Sequence, residues 1–308
     1  MILSYTVPDG SERKVHTILR RELRASAALV RRLKLCNGIF ANGEPVFTDR
    51  MLSPGDVLTA DISACEPECD IVPEHGEIHI LYEDEGMLVL NKPCGMLVHP
   101  SRAKYTGTLS NFAAGYLLEK EGSGVVHAVN RLDRDTGGVV VFAKNSYMKA
   151  VLSDALGENT AEKRYIAVVF GEMHPVGGII DAPIKRLCDM DMLRGVSPDG
   201  QRAVTHYETV SVREVNGQKI SKLHLKLETG RTHQIRVHCT YKGCPLLGDC
   251  LYYTEESNKL SAELGTHEQM LHAFYLKFVH PLTNLPMEFH APVLRKDMEM
   301  LLSLFGGV

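Results

Sequence analysis

An α+β fold is predicted for this 308-residue chain, with a mixed, mostly antiparallel sheet and flanking helices, preceded by a smaller α/β unit. Three observations predict it. Runs rich in Val, Ile, Thr, Tyr and Phe dominate the second half, and the helical periodicities between them are shorter. An acidic, proline-bearing stretch at 61–76, "DISACEPECDIVPEHG", reads as a linker that sets this half apart from a helix-rich beginning. With 44% hydrophobic residues the chain can bury a substantial core.

The first unit lies between Val15 and Val57. Val15, Ile18, Leu19 and Leu23 stand at helical spacing, and Ser26 is placed to cap a second helix carrying Ala27, Val30, Leu33 and Leu35. Gly38 fits the residue after that helix. "IFANGEPV" then predicts strand, Asn42-Gly43 tight turn and returning strand, followed by a "SPGD" turn. Arg20, Arg24 and Arg31 belong to a basic run over residues 12–36 that only Glu12 and Glu22 interrupt. Such a face is either a solvated helix surface or a set of phosphate contacts. The order helix, helix, Asn-Gly hairpin and "PGD" turn resembles the S4 RNA-binding module, which implies RNA contacts at Arg20, Arg24 and Arg31. The unit with its linker is assigned to residues 1–73, and the larger domain to 74–308.

In that larger domain "IHILYEDEGMLVLNKP" predicts two strands around an acidic turn. "GVVVFAK", "RYIAVVFG", "AVTHYETVSV", "SKLHLKLETG" and "LKFVHPLT" follow as further strands. Helices are expected in "TLSNFAAGYLLEKEG", with Thr108 or Ser110 near its start, and in "SYMKAVLSDALGE", with Ser146 as cap. "RTHQIRVHCTYKG" is a third, stopped by Gly243.

Composition narrows the functional classes. The N-terminus meets charge too early for a secretory segment, and no apolar run is long enough to span a bilayer, so a cytoplasmic location is expected. The eight cysteines lack the C-x2-C spacing of zinc sites, and His99, His233 and His238 have no partners at metal spacing, so local hydrogen bonding is expected of the histidines and no metal of either set. A net charge of −4 means that any nucleic acid must meet a local basic face.

Three polar clusters adjoin strand-like runs: "NRLDRDTGG" (130–138), "KRYIAVVFGE" (163–172) and "LETGRTHQIRVH" (227–238). A carboxylate flanked by guanidinium groups stays ionised, because a nearby opposite charge lowers its pKa by about 1–3 units. The first cluster alone has two readings: glycine turn with a surface ion pair, or reactive loop. Asp133 and Asp135 share a face only in extended chain, so the paired carboxylates of a glycoside hydrolase are weakly supported. Lys92-Pro93 is placed to shape a cleft rather than to react.

Taken in order, "VLNKPCGMLVHPS", "RLDRDTGGVVVFAKN", "KRYIAVVFG", "LETGRTHQIRVH" and "LHAFYLKFVHPLT" closely resemble the pseudouridine synthases of the bacterial ribosomal large-subunit RluA/RluD class, over about residues 77–294. The resemblance implies that class's fold and catalytic cleft, a structured-RNA partner, most often 23S rRNA, and isomerisation of uridine to pseudouridine. It implies Asp133 as the nucleophile, at C1′ or through elimination to a glycal. Arg131 would enter the duplex in place of the flipped base, Tyr165 would stack on the uracil and take part in proton removal, and Arg231 would pair with Asp133. Isomerisation has no external leaving group, so one carboxylate suffices and no metal or redox cofactor is called for.

Two letters depart from the class. Asn130 stands where histidine is usual, and Gly137 occupies the middle of the usual Thr-Ser-Gly. The rival readings are a catalytically decayed RNA-binding or ribosome-assembly factor, and a tRNA-directed pseudouridine synthase.

Overall fold

The computed structural model describes all residues except 64, 65, 67, 68, 102, 158, 159, 189–192, 307 and 308. Cys65 therefore lies outside the described residues.

The N-terminal unit begins with a strand the sequence pattern does not announce, Ile2–Thr6, which pairs antiparallel with Val57–Asp61. Two helical segments follow. The first is a short α-turn, Val15–Thr17, running into a π-type turn, Ile18–Glu22; the second is Ala27–Leu35, capped by the Ser26 hydroxyl, which accepts from the Leu29 N–H. Asn42 and Gly43 both have positive φ, as a type I′ hairpin requires, and join Ile39–Ala41 to Glu44–Pro45.

The larger part is one ten-stranded sheet. Its path runs Gly177–Asp181, Val204–Val215, Gln218–Leu227, Glu162–Phe170, Leu271–Val279, Gly137–Ala143, Met87–Lys92, His79–Glu83, with Pro286–His290 and His127–Ala128 paired off it. All pairings are antiparallel except the short parallel contact of Gly137 and Gly138 with His272 and Ala273. Helices Leu109–Glu121, Ser146–Ala155, Gln234–Tyr241, Glu255–Glu263 and Lys296–Ser303 surround the sheet. Thr108 caps the first of these. Asn145, rather than Ser146, caps the second, because its side chain reaches the Met148 N–H.

Described residues of the expected linker are held by contacts with the rest of the chain. Ile71 is buried, Glu74 accepts from the Gly107 N–H, and Glu66 accepts from both the backbone and the hydroxyl of Ser146. Ser146 also receives a hydrogen bond from Arg32 of the N-terminal unit at 2.7 Å. One apolar cluster runs through both parts, from Leu3, Leu33 and Leu58 to Met87, Val141 and Phe278.

Candidate functional site

The loop "NRLDRDT" connects strand His127–Ala128 to strand Gly137–Ala143 and is fastened at many points. Asn130 grips the following strand, donating to the Val139 carbonyl and accepting from the Val141 N–H. Lys92, fully buried at the end of its own strand, donates to the carbonyls of Pro93, Met96 and Arg134. Burial pushes the Lys92 pKa down to about 8 against the opposing pull of Cys94, Asp135 and Asp133. Its role is to hold backbone in place. Both aspartates line the cleft, but Asp135 is buried and bidentate with Arg134, which leaves Asp133, a quarter exposed, as the accessible carboxylate.

The sheet has little room beneath this loop. Gly138 has φ +121°, and a Cβ there would stand 2.2 Å from the Ala273 carbonyl oxygen. Only glycine fits so close a parallel strand. At Gly137 the room is less tight: a Cβ would lie 3.0 Å from a ring nitrogen of His272. On the other edge of the Leu271–Val279 strand an extra residue bulges the pairing between Arg164 and Ile166. Tyr165 sits at that irregularity, where a bulge re-aims side chains.

Asp133 and Tyr165 line one recess of about 60 Å³ with Leu132, Leu227, Ile235, Arg236 and Leu271; it adjoins a cleft of about 1120 Å³. Its walls are apolar on one side and charged on the other. Burial, and secondarily the Asp133 charge, raise the Tyr165 pKa above the ordinary phenol value. The phenol keeps its proton at neutral pH.

Arg231 and Arg236 are placed differently with respect to Asp133. Nε of Arg231 donates to the Arg202 carbonyl, and the guanidinium that meets Asp133 is that of Arg236, with Nη1 3.5 Å from Oδ2. The reason is local geometry. His233 adopts a left-handed conformation, φ +58°, and Gln234 starts the helix. Gln234 ties this turn down, accepting from Thr229 and the Arg231 N–H and donating to Val204 and Thr205. Arg231 precedes the turn, while Arg236 lies in the first turn of the helix.

Arg236 is buried and bidentate to Asp249, and it stacks over Tyr252 with 5.0 Å to the ring centroid. Burial opposes its charge, but the Asp249 bonds and the charges of Asp249 and Asp133 outweigh it, so the guanidinium pKa is raised. Tyr252 accepts from the Arg194 N–H and lies 2.9 Å from Nδ1 of His233. Burial holds His233 below the ordinary histidine pKa. Sequence reasoning missed Asp249 and Tyr252; "GDCLYY" follows a turn and carries no spacing signal. His238 is hydrogen-bonded to Thr205 and the Ala182 carbonyl, and no metal-ligating cluster occurs among the described residues.

The basic N-terminal face is partly engaged. Arg24 reaches Asp154 at 3.7 Å, Arg20 bonds the Ala25 carbonyl, and Arg31 is exposed. Arg131 is exposed at the cleft.

An accessible cleft carboxylate stands beside a half-buried tyrosine and is backed by a charged guanidinium whose main partner is a second, buried carboxylate. The chain belongs to the RNA pseudouridylate synthase family, and its class is RluA/RluD: the family model matches residues 86–241. It is 39% identical over 282 residues to the uncharacterized RNA pseudouridine synthase YjbO of Bacillus subtilis, covering 91% of this chain and 95% of that protein. It is 38% identical over 279 residues to ribosomal large subunit pseudouridine synthase D of Vibrio cholerae, covering 86% and 83%. Human RNA pseudouridylate synthase domain containing 4 shares the fold, with a TM-score of 0.56 at 24% identity over 70% of this chain and 89% of that one. The protein is thus an RNA pseudouridine synthase, an isomerase that acts on RNA. Among the described residues no helix is long and apolar enough to cross a membrane.

Proposed function

We propose that this enzyme isomerises uridines in structured large-subunit rRNA in the cytoplasm, with Asp133 as the group that attacks the flipped nucleoside. The observation that carries the reading is the pairing of a cleft-facing Asp133 with Arg236 on one side and Tyr165 on the other. Asp133 attacks C1′ or initiates elimination to a glycal; N1–C1′ breaks, the base turns, C5–C1′ forms, and the C5 proton leaves while N1 gains one. Tyr165 carries the uracil on its ring and serves the proton transfer. Its raised pKa makes the phenolate a strong base and a rare one.

Unstacking the target base costs a few kcal/mol, which stacking on Tyr165 and insertion of Arg131 into the vacated place offset. Arg236 compensates the Asp133 charge, the role first expected of Arg231. Residues 1–73 form the S4-like grip and 74–308 the catalytic domain. The large-subunit target is supported by the name of the Vibrio relative, a ribosomal large subunit pseudouridine synthase.

The test uses RNA tritiated at uracil C5. Wild-type protein is expected to release tritium from 23S rRNA, and Asp133→Ala to release none while binding RNA as before. Binding without release on rRNA and tRNA alike would overturn the catalytic reading in favour of a decayed binding factor. Release from tRNA alone would move the target.

A further inference from the structure

The hairpin Ile184–Arg186/Arg194–Val196 stands beside the cleft and carries a side chain that the mechanism above does not use. Arg194 lines the cleft together with Asp133, Tyr165 and Arg236. Its backbone N–H is pinned by the Tyr252 hydroxyl, the same group that bonds His233, so the hairpin is stitched to the wall that positions Arg236. Nη1 of Arg194 is buried and has no hydrogen-bond partner, and no ion pair of this side chain occurs among the described residues. A buried guanidinium N–H without an acceptor is costly, and such groups are retained where a ligand supplies the acceptor.

The charges around the cleft say what that ligand is. Its lining carries five cationic side chains, Arg131, Arg134, Lys163, Arg194 and Arg236, against the carboxylates of Asp133 and Asp135. Arg134 is taken by Asp135 and Arg236 by Asp249 and Asp133. Arg131 and Arg194 come from different segments of chain and line the same cleft. A planar guanidinium with free N–H donors matches a phosphodiester, the one anionic group that RNA brings at every nucleotide.

We propose that Arg194 is a phosphate-binding residue that, with Arg131, clamps the RNA backbone beside the flipped nucleotide. The proposal rests on the enzyme's acting through the Asp133 cleft. Arg194 touches substrate away from the reacting atoms, so its contribution appears in binding and in kcat/KM more than in kcat.

The experiment measures filter binding of in-vitro transcribed 23S rRNA over a salt series, with tritium release from the same transcript in parallel. Arg194→Gln keeps the apolar stem and removes the charge. It is expected to weaken binding roughly tenfold, to lower the slope of log affinity against log salt by about one, and to lower kcat/KM for tritium release in step with the lost affinity. Arg194→Lys is expected to keep most of the slope, which separates a lost charge from a disturbed hairpin. If Arg194→Gln binds with wild-type affinity and slope, the clamp is refuted whether or not tritium is released. If the slope falls in Arg194→Gln while wild-type protein releases no tritium, the phosphate site stands and the uridine-isomerising reading fails. An equal loss of slope in Arg194→Lys and Arg194→Gln would also overturn the proposal, because it would trace the effect to packing.

Discussion

Nη1 of Arg236 lies 3.5 Å from Asp133 while Nε and Nη2 of the same guanidinium close on Asp249 at 2.7 and 2.8 Å. One planar cation thus faces two carboxylates, one fully buried and one open to the cleft. Lysine cannot copy that geometry, since its ammonium is a point charge. Arg236→Lys is expected to lower single-turnover release by about 10²-fold, the scale of losing one aligned electrostatic contact in a dry site. Arg231→Ala is expected to change it about threefold or less, since its Nε bonds the Arg202 carbonyl and not Asp133. Equal losses in the two variants would return the role to Arg231.

Asp249 carries a prediction of its own. Asp249→Ala leaves Arg236 buried without its main counter-charge, a class of change that costs about 3–5 kcal/mol. Thermal unfolding should fall accordingly. Asp249→Asn is expected to fold and to bind RNA with lower kcat, read by single-turnover assay.

The role proposed for Tyr165 joins stacking and proton transfer in one ring, and two variants separate them. Tyr165→Phe is expected to retain RNA affinity and to slow release by about 10²-fold or more, the scale of acid–base catalysis. Tyr165→Ala is expected to lose about 1–3 kcal/mol of binding as well, the worth of a base stacked on an aromatic ring. Unchanged release by Tyr165→Phe would confine the residue to stacking.

Lys92 predicts a pH signature. Its pKa near 8 means that the folded protein gives up this proton below the ordinary lysine range. Above about pH 8 the Arg134 carbonyl loses a charged donor, so kcat is expected to fall there. Lys92→Met should remove that descending limb and start from a lower plateau. The sign for stability is opposite. Between about 8 and the ordinary lysine value the unfolded chain binds more protons than the folded one, so this group makes folding more favourable as pH rises.

On the N-terminal face Arg20, Arg24 and Arg31 are all exposed, and Arg24 and Arg20 also have partners within the protein. Arg31→Ala is expected to lower the salt slope of RNA binding by about 0.7–0.9, one phosphate contact. No change in slope for the triple variant of Arg20, Arg24 and Arg31 would leave this face merely solvated.

Much of this was legible before coordinates, for physical reasons. The Asn42-Gly43 turn, the Ser26 cap and the long strands write themselves locally, in φ preference, side-chain oxygens and β-branched runs. The loop of Asp133 and the strand of Tyr165 are contiguous motifs. What escaped was decided at a distance: Ile2–Thr6 becomes a strand because Val57–Asp61 is there to pair with it. Arg236 displaced Arg231 because one left-handed residue, His233, sets where the helix starts. Asn130 illustrates the reverse. It departs from the usual histidine, and its amide meets both a donor and an acceptor of the neighbouring strand.

The shared apolar cluster, with Arg32, Glu66 and Ser146 as its polar seam, fixes the N-terminal unit against the sheet that carries Asp133. Together they behave as a ruler and not as a hand on a tether. On the proposed reading, an RNA feature seated on the basic face would stand at a set span from the cleft, and a uridine would be chosen by its distance from that feature as much as by the letters around it.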